Sequence, residues 1–377
     1  MANQKRTNGA DNSGKKAAAS QQKGKNNKRK MIVFGVELVV ILAMVAVLYF
    51  VMSSPSADGP MVTTLDPEDL EIPQEIKQAK EEDPENKMKG YMNIALFGVD
   101  ARTDKQLLKG SRSDATMIAS INMDTGDIKL VSVYRDTYLN IGDDDYRKCN
   151  AAYSFGGAEQ AIKMLNMNLD MDIENFITIG YKGLSEVIDG LGGVYIDVDS
   201  AELKHINSYQ IDISNVMKCD YTPVTETGYQ LLNGLQATAY CRIRYTAGDD
   251  FKRTERQREV IKAIEEQAKK SDLATLTGVF NEVIDDIYTS LDSGDILELL
   301  GSIADYRIVD ESGFPQKDMR TVADVGAVGS SIIPIDLESN VVWLHQFLFG
   351  EENYTVTEKV RGIGETIAEK TAKYLGN

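Results

Sequence analysis

The sequence is poor in the residue types that most often build metal and nucleophilic sites. It holds three cysteines and two histidines in 377 residues. The histidines, His205 and His345, are too few for a His-rich metal site and give little support to a Ser-His-Asp triad. The cysteines, Cys149, Cys219 and Cys241, form no CxxC motif. Their number leaves room for one disulfide and one free thiol, and their spacing identifies no pair.

Glycine-rich phosphate loops are missing as well. The segment from Gly90 to Gly98 lacks the Walker spacing, and GxGxxG occurs nowhere in the chain. No internal repeat with a period of 20–50 residues is visible, which argues against a solenoid or a propeller.

The charge is divided between a basic head and an acidic body. Residues 1–30 contain nine Lys and Arg and one acidic residue, whereas the chain after residue 52 contains 32 basic and 56 acidic residues. Between them, residues 31–52 form an apolar run whose only charged residue is Glu37. A helix of this length spans about 30 Å, the thickness of the bilayer hydrocarbon. The run predicts a single transmembrane anchor.

A cleaved signal peptide is the alternative for this run. Its apolar region would be shorter and would end in a small-x-small site, and no clear Ala-x-Ala follows here. The basic residues before the run place the N-terminus in the cytoplasm, so a single-pass protein of the cell membrane with residues 53–377 outside is expected. Residues 1–30 are predicted to be disordered and suit the anionic inner leaflet better than a nucleic acid.

The external part is predicted to begin with a stalk. Residues 53–89 hold five of the eight prolines and many acidic residues, which is typical of an extended segment. From residue 90 onwards, short strand-like runs alternate with helical patterns, and this predicts the α/β class, an α-β-α sandwich with a central mixed sheet. We divide it into a catalytic domain over 90–270 and an α/β extension over 271–377 that carries no motif.

Individual elements follow from the hydrophobic periodicity. Strands are expected at 92–99, 115–122, 127–134, 194–198 and 240–245, and further apolar runs at 319–328 and 331–335. Helices are expected at 157–168, 181–190, 235–240, 250–270, 273–288, 293–306, 337–349 and 357–375.

One turn places several charged residues together. The Asp-Thr-Gly sequence at 124–126 separates two strand-like runs and predicts a hairpin. The hairpin pairs residues whose numbers sum to about 249, so Asp114 lies opposite Arg135 at its open end. If strand 92–99 runs parallel to the second hairpin strand, Asp100 emerges at the same end. Open sheets bind their ligands at such an edge.

The predicted helix 250–270 places two polar residues on its apolar face. Arg253 and Gln257 share one stripe with Val260, Ile261 and Ile264. An inward-facing guanidinium needs an anionic partner, because an unpaired buried charge is very costly. The partner is either a carboxylate of the protein or a bound anion.

Other arginines join this rim. Arg112 precedes Asp114, and Arg242 and Arg244 lie on one side of an alternating segment, which brings the total to five arginines and two carboxylates. Arginine binds phosphate oxygens in bidentate fashion, and carboxylates beside phosphates commonly hold Mg²⁺. The combination favours phosphoryl transfer on a pyrophosphate. The alternative is an ion-pair network that fixes the sheet to the helix.

Several short motifs occur in order over residues 90–260. They are GVDAR at 98–102, RSD at 112–114, VYRDT at 133–137, NAAY at 150–153, DGLGGVYIDV at 189–198, LNGLQA at 232–237, RIR at 242–244 and DFKRTERQ at 250–257. This ordered set resembles the LytR-CpsA-Psr family of Gram-positive envelope proteins. The chain departs from the family pattern at Ala115, where Thr is common, and at Cys149, which replaces an aliphatic residue and places a thiol near the site.

The resemblance implies a function. It implies a Mg²⁺-dependent phosphotransferase that moves a teichoic acid or capsule-type glycopolymer from a polyprenyl-pyrophosphate carrier to peptidoglycan and leaves a phosphodiester link. A pyrophosphatase side activity is compatible with the same site. The alternative function is a non-catalytic envelope regulator or a prenyl-pyrophosphate-binding scaffold, which the basic head allows.

The resemblance also implies roles for individual residues. The catalytic set would be Asp100, Asp114, Arg112 and Arg135, with Asp100 and Asp114 as the metal ligands. The pyrophosphate would be bound by Arg112, Arg135, Arg242, Arg244, Arg253 and Gln257. The apolar carrier chain would lie between the sheet and the helices.

Overall fold

The computed structural model describes residues 61–101, 103–244 and 249–375. The strands are short, as the alternating pattern predicts. They are β1 (Met61–Val62), β2 (Tyr91–Val99), β3 (Ser113–Asn122), β4 (Asp127–Val133), β5 (Tyr138–Asn140), β6 (Tyr146–Lys148), β7 (Asn175–Ile179), β8 (Val194–Val198), β9 (Gly228–Leu232), β10 (Ile287–Thr289), β11 (Arg307–Phe314), β12 (Arg320–Asp324) and β13 (Ser330–Pro334).

The helices agree with most of the predicted spans. They are α1 (Gln74–Glu82), α2 (Asp104–Leu108), α3 (Asn150–Leu169), α4 (Tyr181–Gly190), α5 (Ser200–Met217), α6 (Gly234–Tyr240), α7 (Asp249–Ala268), α8 (Leu273–Val283), α9 (Ser293–Gly301), α10 (Leu337–Phe349) and α11 (Glu358–Thr371). Side chains cap several of them. At α6, the Asn233 side-chain oxygen accepts a hydrogen bond from the Gln236 backbone N–H, and the Gln236 side-chain oxygen accepts one from the Asn233 backbone N–H. This reciprocal pair is a capping box.

A seven-stranded mixed sheet forms the centre of the fold, in the order β1-β10-β7-β2-β3-β4-β11. The pairs β7–β2 and β4–β11 are parallel, whereas β2–β3 and β3–β4 are antiparallel. Strands β2 and β4 therefore run in the same direction on either side of β3. Their carboxyl ends meet at one edge, so Asp100 and Arg135 emerge together, as predicted.

The β3–β4 hairpin has the predicted register. Ile118 faces Val131 and Met117 faces Ser132, so the numbers of paired residues sum to 249. In the turn, Gly126 has a φ of 74°, and an added Cβ would lie 2.3 Å from the Asp305 carbonyl oxygen. A residue with a side chain would be strained and would clash there, so this glycine fixes where the hairpin turns.

The two faces of the sheet are covered by different helices. On one face, Phe97 of β2 and Ile118 of β3 belong to the same buried core as Leu165 of α3, Leu344 of α10 and Val360 of α11. On the other face of the sheet, side chains of β2, β3 and β7 point towards helices α4 and α7. The predicted α/β class with a central mixed sheet is confirmed.

A smaller lobe is built beside the sheet. Strands β8 and β9 form an antiparallel ribbon that packs on α5 and α6. Its buried core joins Ile196, Ile206, Leu232 and Tyr240 with Val260 of α7. Helix α7 therefore contacts both the lobe and the sheet, and it forms a wall between them.

Residues 61–89 are not the extended stalk that their prolines predict. β1 pairs with β10 at the edge of the sheet, and Leu70, Ile76 and Met88 are buried in the main core. The prolines start helices here, because Pro67 occupies the first turn of a short 3-10 helix and Pro73 precedes α1. The composition of this segment predicted a stalk because its few buried apolar residues are outnumbered by acidic residues.

Two further predictions differ from the structure. The described part of the predicted strand 240–245, residues 240–244, is not a strand, because α6 runs to Tyr240 and a turn follows at residues 241–242. The boundary at residue 270 separates no structural units, because β10 and β11 belong to the central sheet and α10 and α11 to its core. The wrong boundary arises from pairings between segments that are far apart in sequence.

The predicted basic segment 1–30, the predicted anchor 31–52 and residues 53–60 lie outside the described residues. Within the part of the chain that the structure describes, no helix has both the length and the hydrophobicity to cross a bilayer.

Candidate active site

A cavity of about 850 Å³ lies between the sheet and helices α4 and α7. One end is formed by the residues that follow β2 and β4 and precede β3, and it is polar. The structure brings all eight predicted site residues to the walls of this one cavity, namely Asp100, Arg112, Asp114, Arg135, Arg242, Arg244, Arg253 and Gln257.

Asp114 connects two of the arginines. Its Oδ1 accepts a short hydrogen bond from Arg135 Nη1 and lies 3.5 Å from Arg244 Nη2. Its Oδ2 lies 3.5 Å from the Tyr181 hydroxyl. Burial alone would lower the pKa of Arg135, but the nearby carboxylates of Asp114 and Asp136 raise it. Arg135 therefore stays charged at the rim of the cavity.

Arg253 has one of the two partners expected for it, a carboxylate of the protein. This carboxylate does not bond all of its N–H groups. The side chain is 3% exposed, and its Nη2 lies 3.3 Å from Asp250 Oδ1. The same oxygen lies 3.5 Å from Arg244 Nε. Arg253 Nε has no hydrogen-bond acceptor among the described residues. Burial, reinforced by Arg244 and Arg135, lowers the pKa of Arg253 to about 10 although Asp250 opposes the shift.

Arg242 is held by aromatic rings. Its guanidinium carbon lies 4.6 Å from the ring centroid of Tyr181 and 5.3 Å from that of Tyr209, which are cation–π distances. Among the described residues, Arg242 forms no ion pair. The rings fix its direction while its N–H groups remain available to an anion.

Asp100 and Arg112 complete the rim. Asp100 is half-buried at the end of β2, and its backbone carbonyl accepts a bond from the Ser111 hydroxyl at 3.2 Å. Arg112 is exposed and forms no ion pair with any described residue. Two arginines of the cavity wall, Arg112 and Arg242, thus have no carboxylate partner in the described chain.

Two further carboxylates lie at the rim, Asp136 and Asp250. Asp136 Oδ1 lies 3.3 Å from Lys148 Nζ and 3.5 Å from Arg135 Nε. The carboxyl groups of Asp136 and Asp250 are close enough to influence each other's pKa. Burial and then Asp136 raise the pKa of Asp250, whereas Arg135 and Lys148 outweigh burial and lower the pKa of Asp136.

These carboxylates change the charge balance. The sequence predicts five arginines against two carboxylates, and the structure places four carboxylates among them, of which Asp136 is shared with Lys148. The excess of positive charge is smaller than predicted. It is concentrated at Arg112 and Arg242, which line the cavity and have no carboxylate partner among the described residues. The signal for Asp136 was present, because it follows Arg135 directly in the VYRDT motif.

The carboxylates of Asp100 and Asp114 fit a magnesium ion in number and kind. Both line the cavity at the end of adjacent antiparallel strands. Mg²⁺ at phosphoryl-transfer sites is held by one or two carboxylates together with substrate oxygens and water. Among the described residues, no group of three or more His, Cys, Asp or Glu side chains is placed to hold a metal ion without substrate.

The rest of the cavity is apolar. The sheet, α4 and α7 contribute Leu96, Met117, Ile177, Leu184, Val187, Ile261, Ile264 and Ile287. Cys241 also lines it, and burial raises the pKa of this thiol to about 12, so it is neutral at ordinary pH. All three cysteines are free, and Cys149 is buried outside this cavity with its pKa raised likewise. A charged rim therefore opens onto an apolar interior.

Comparison with known proteins identifies relatives. The polyisoprenyl-teichoic acid–peptidoglycan teichoic acid transferase TagU of Enterococcus faecalis is 29% identical over 289 residues, which cover 75% of this chain and 84% of that protein. The teichoic acid transferase TagT of Bacillus subtilis is 30% identical over 197 residues, which cover 52% of this chain and 58% of that protein.

A solved structure has the same fold. The crystal structure of B. subtilis TagT aligns with a TM-score of 0.52 and 24% identity over 71% of this chain and 93% of that chain. A sequence model of the LytR_cpsA_psr family matches residues 61–327. The match includes all eight residues at the cavity and most of the chain, and the protein therefore belongs to the LytR_cpsA_psr family.

Proposed function

We propose that this protein is a membrane-anchored phosphotransferase that moves a glycopolymer from a polyprenyl-pyrophosphate carrier to a hydroxyl of peptidoglycan. The glycopolymer is of the teichoic acid or capsule type. The names of the relatives describe transfer of teichoic acid from a polyisoprenyl carrier to peptidoglycan. One observation carries the proposal, the joining of a five-arginine rim to an apolar interior in a single cavity.

Such a cavity matches an amphipathic substrate. Apolar walls bind a hydrocarbon chain through the hydrophobic effect, and arginine forks bind phosphate oxygens. A nucleotide has no hydrocarbon chain to fill the apolar interior. A simple lipid has no anionic group to pair with the arginines. A polyprenyl pyrophosphate satisfies both ends. Arg112 and Arg242 supply charges that no described carboxylate neutralises.

The reaction is a displacement at phosphorus. The acceptor hydroxyl oxygen forms a bond to the phosphorus that carries the glycopolymer, and the bond from that phosphorus to the prenyl-phosphate oxygen breaks. One proton is released from the hydroxyl, and prenyl phosphate leaves. Negative charge on the transferred and departing groups is stabilised by Arg112, Arg135, Arg242, Arg244 and Arg253, with Gln257 beside them.

The site is suited to Mg²⁺, which when bound would neutralise phosphate charge. Asp100 and Asp114 would hold it. Asp114 also orients Arg135 and Arg244, so its carboxylate serves the arginine cluster whether or not the ion is present. Attachment through the apolar run 31–52 would keep the body at the membrane surface, where a prenyl carrier is found.

The test uses the full chain in detergent or vesicles, with a prenyl-pyrophosphate-linked glycopolymer as donor and peptidoglycan as acceptor. The product to detect is a covalent polymer–peptidoglycan conjugate. We expect Asp100→Ala and Arg135→Ala each to abolish its formation while circular dichroism shows an intact fold. Removing Mg²⁺ with a chelator should stop transfer, and adding Mg²⁺ back should restore it.

Three outcomes would count against this function. If both variants form conjugate at the wild-type rate, the cavity is not the catalytic site. If the donor is cleaved but no conjugate forms with acceptor present, the protein is a pyrophosphatase. A donor that binds without any cleavage would favour the non-catalytic scaffold.

A further inference from the structure

A second cavity of about 460 Å³ adjoins the active-site cavity and shares Arg112 with it. Its walls come from the end of β6, from the first turns of α3 and from the loop at residues 327–328. Its volume lies within the range of roughly 300–1,000 Å³ that is typical of ligand pockets. The two cavities are therefore adjacent, with the Arg112 side chain between them.

The walls of this second cavity are mainly polar. Asn150, Ser154, Arg147 and Lys148 line it together with Asp145. The cations are mostly paired, since Arg147 Nε lies 2.7 Å from Asp145 Oδ2 and Lys148 contacts Asp136. A hydrocarbon chain would leave these groups without hydrogen bonds, so the cavity does not extend the prenyl site. It suits a ligand rich in hydroxyl or amide groups.

Asn150 provides a specific sign of a missing partner. The residue is 1% exposed and lines this cavity, yet its Nδ2 has no hydrogen-bond acceptor among the described residues. A buried polar group without a partner costs about 1–3 kcal/mol. A ligand oxygen that reached this wall of the cavity would supply the acceptor.

An exposed aromatic ring lies at the same cavity. Phe155 is 58% exposed, although the neighbouring side chains of α3 are mostly buried. The Arg147 guanidinium carbon lies 5.3 Å from its ring centroid and holds one side of it. The flat, C–H-rich face of a sugar ring packs well on an aromatic ring, with its hydroxyl groups directed to polar neighbours. Phe155, Asn150 and Arg147 offer this combination.

The reaction geometry indicates which sugar this is. In-line displacement requires the attacking and leaving oxygens to lie on opposite sides of phosphorus. The leaving prenyl phosphate belongs to the apolar cavity, so the acceptor hydroxyl must approach from outside that cavity. The second cavity adjoins the apolar cavity at Arg112.

We propose that the second cavity is the acceptor subsite and holds a sugar ring of the peptidoglycan glycan strand, with Phe155 beneath the ring. This inference rests on the proposed function, because it names the side from which the nucleophile arrives. Arg112 then contacts the pyrophosphate on one side and borders the acceptor sugar on the other.

The experiment measures acceptor and donor dependence separately in the full chain, with uncross-linked glycan strands as acceptor. We expect Phe155→Ala to raise KM for the glycan strands about tenfold and to leave KM for the donor unchanged. Phe155→Tyr, which keeps the ring, should restore the wild-type KM. Tyr229→Ala is the matched control, since Tyr229 is a 69% exposed aromatic residue on β9 that lines neither cavity.

A second measurement keeps this proposal separate from the proposed function. Binding of the glycan strands to the full chain without donor should weaken about tenfold in Phe155→Ala, whether or not the protein transfers anything. An unchanged affinity and an unchanged acceptor KM would overturn the subsite. If the loss falls on the donor KM instead, the cavity holds the donor's own sugars and the acceptor assignment is wrong.

Discussion

Asp114 and Arg135 face each other across the open end of the β3–β4 hairpin, and the guanidinium donates a short hydrogen bond to the carboxylate. The same carboxylate oxygen lies 3.5 Å from Arg244. One aspartate thus holds together two cations that would otherwise repel each other. Its removal should disorder the rim without affecting the core.

The first prediction concerns this aspartate. Asp114→Asn keeps the size of the side chain but removes the charge that aligns Arg135 and Arg244. We expect kcat for transfer to fall about 100-fold or more, the size of effect seen when a preorganised electrostatic contact is lost. Steady-state kinetics with saturating donor would measure it.

The hairpin itself offers a matched control. Asp127 Oδ1 lies 2.6 Å from Arg307 Nε near the turn end of the same hairpin, where Arg307 is exposed and Asp127 is partly exposed. Asp127→Asn should leave kcat unchanged. Equal losses in the two variants would mean that the hairpin fold, not the rim, is responsible.

The hairpin also illustrates what sequence can predict. Its register needs only the position of one turn, because strand pairing then follows residue by residue. The inward direction of Arg253 and Gln257 was equally local, since helical periodicity fixes the face. These two local arguments placed four of the eight residues, namely Asp114, Arg135, Arg253 and Gln257. Asp100 also needed the shared direction of β2 and β4. Arg242 and Arg244 were added from an alternating segment whose described residues form no strand.

Other features depend on contacts that no local pattern contains. The addition of β10 and β11 to the sheet joins segments far apart in sequence, so residues 271–377 were separated wrongly. The influence of Asp136 and Asp250 on each other's pKa depends on burial, which charge patterns do not reveal. The polar lining of the second cavity likewise appears only after folding.

A second prediction concerns the two rings around Arg242. Tyr181→Leu removes one ring at 4.6 Å, whereas Tyr181→Phe keeps it and removes only the hydroxyl near Asp114. If the ring positions Arg242, Tyr181→Leu should raise KM for the donor more than Tyr181→Phe does. A double-mutant cycle with Arg242→Ala should give a coupling of about 0.5–2 kcal/mol.

The double-mutant cycle has a clear opposite outcome. If the effects of Tyr181→Leu and Arg242→Ala simply add, the ring does not position the guanidinium. If Tyr181→Phe and Tyr181→Leu raise KM for the donor equally, the effect comes from the loss of the hydroxyl group near Asp114.

A third prediction concerns the apolar interior. Ile261 of α7 lines the cavity, so Ile261→Trp should fill space that a long prenyl chain needs. We expect KM to rise about tenfold for a long-chain donor and to stay unchanged for a donor with a short prenyl group. Inorganic pyrophosphate should bind both proteins equally, because the rim is unaltered.

Ile211 provides the control for a new tryptophan. It is 43% exposed on α5 and lines neither cavity, so Ile211→Trp should not change KM for either donor. A rise in KM for short and long donors alike in Ile261→Trp would show that the substitution acts on the phosphate rim instead.

A fourth prediction uses pH. Burial and the neighbouring Asp286 raise the pKa of Glu186 to about 7, above its ordinary value of 4.5, although Lys182 opposes the shift. The folded state therefore favours the protonated acid, and stability is lost as pH rises from 4.5 through 7. Glu186→Gln imitates the protonated form.

Thermal unfolding at two pH values would test this sign. We expect Glu186→Gln to raise Tm at pH 8.5, with a gain of about 1 kcal/mol, and to change it little at pH 4.5. Glu226, an exposed residue, is the control, and Glu226→Gln should leave Tm unaltered at both values. A gain for Glu186→Gln that is larger at pH 4.5 would contradict the prediction.

The last prediction separates structural from functional arginines on α7. Arg256 is 2% exposed, and its Nε lies 2.7 Å from Oε1 of Glu202, which is also buried. Its Nη1 donates to the Ile243 carbonyl at 3.1 Å. Arg256→Ala would leave a buried carboxylate without this partner, so we expect the free energy of unfolding to fall by about 3–5 kcal/mol.

Arg253, one turn earlier on α7, should behave differently. Burial and the nearby Arg244 and Arg135 already make its charge unfavourable, because they lower its pKa. Arg253→Ala should therefore cost much less stability in urea unfolding than Arg256→Ala, yet it should weaken pyrophosphate binding at least tenfold by calorimetry. Equal destabilisation by the two substitutions would mean that Arg253 serves the fold, and its direction into the cavity would then need no ligand to explain it.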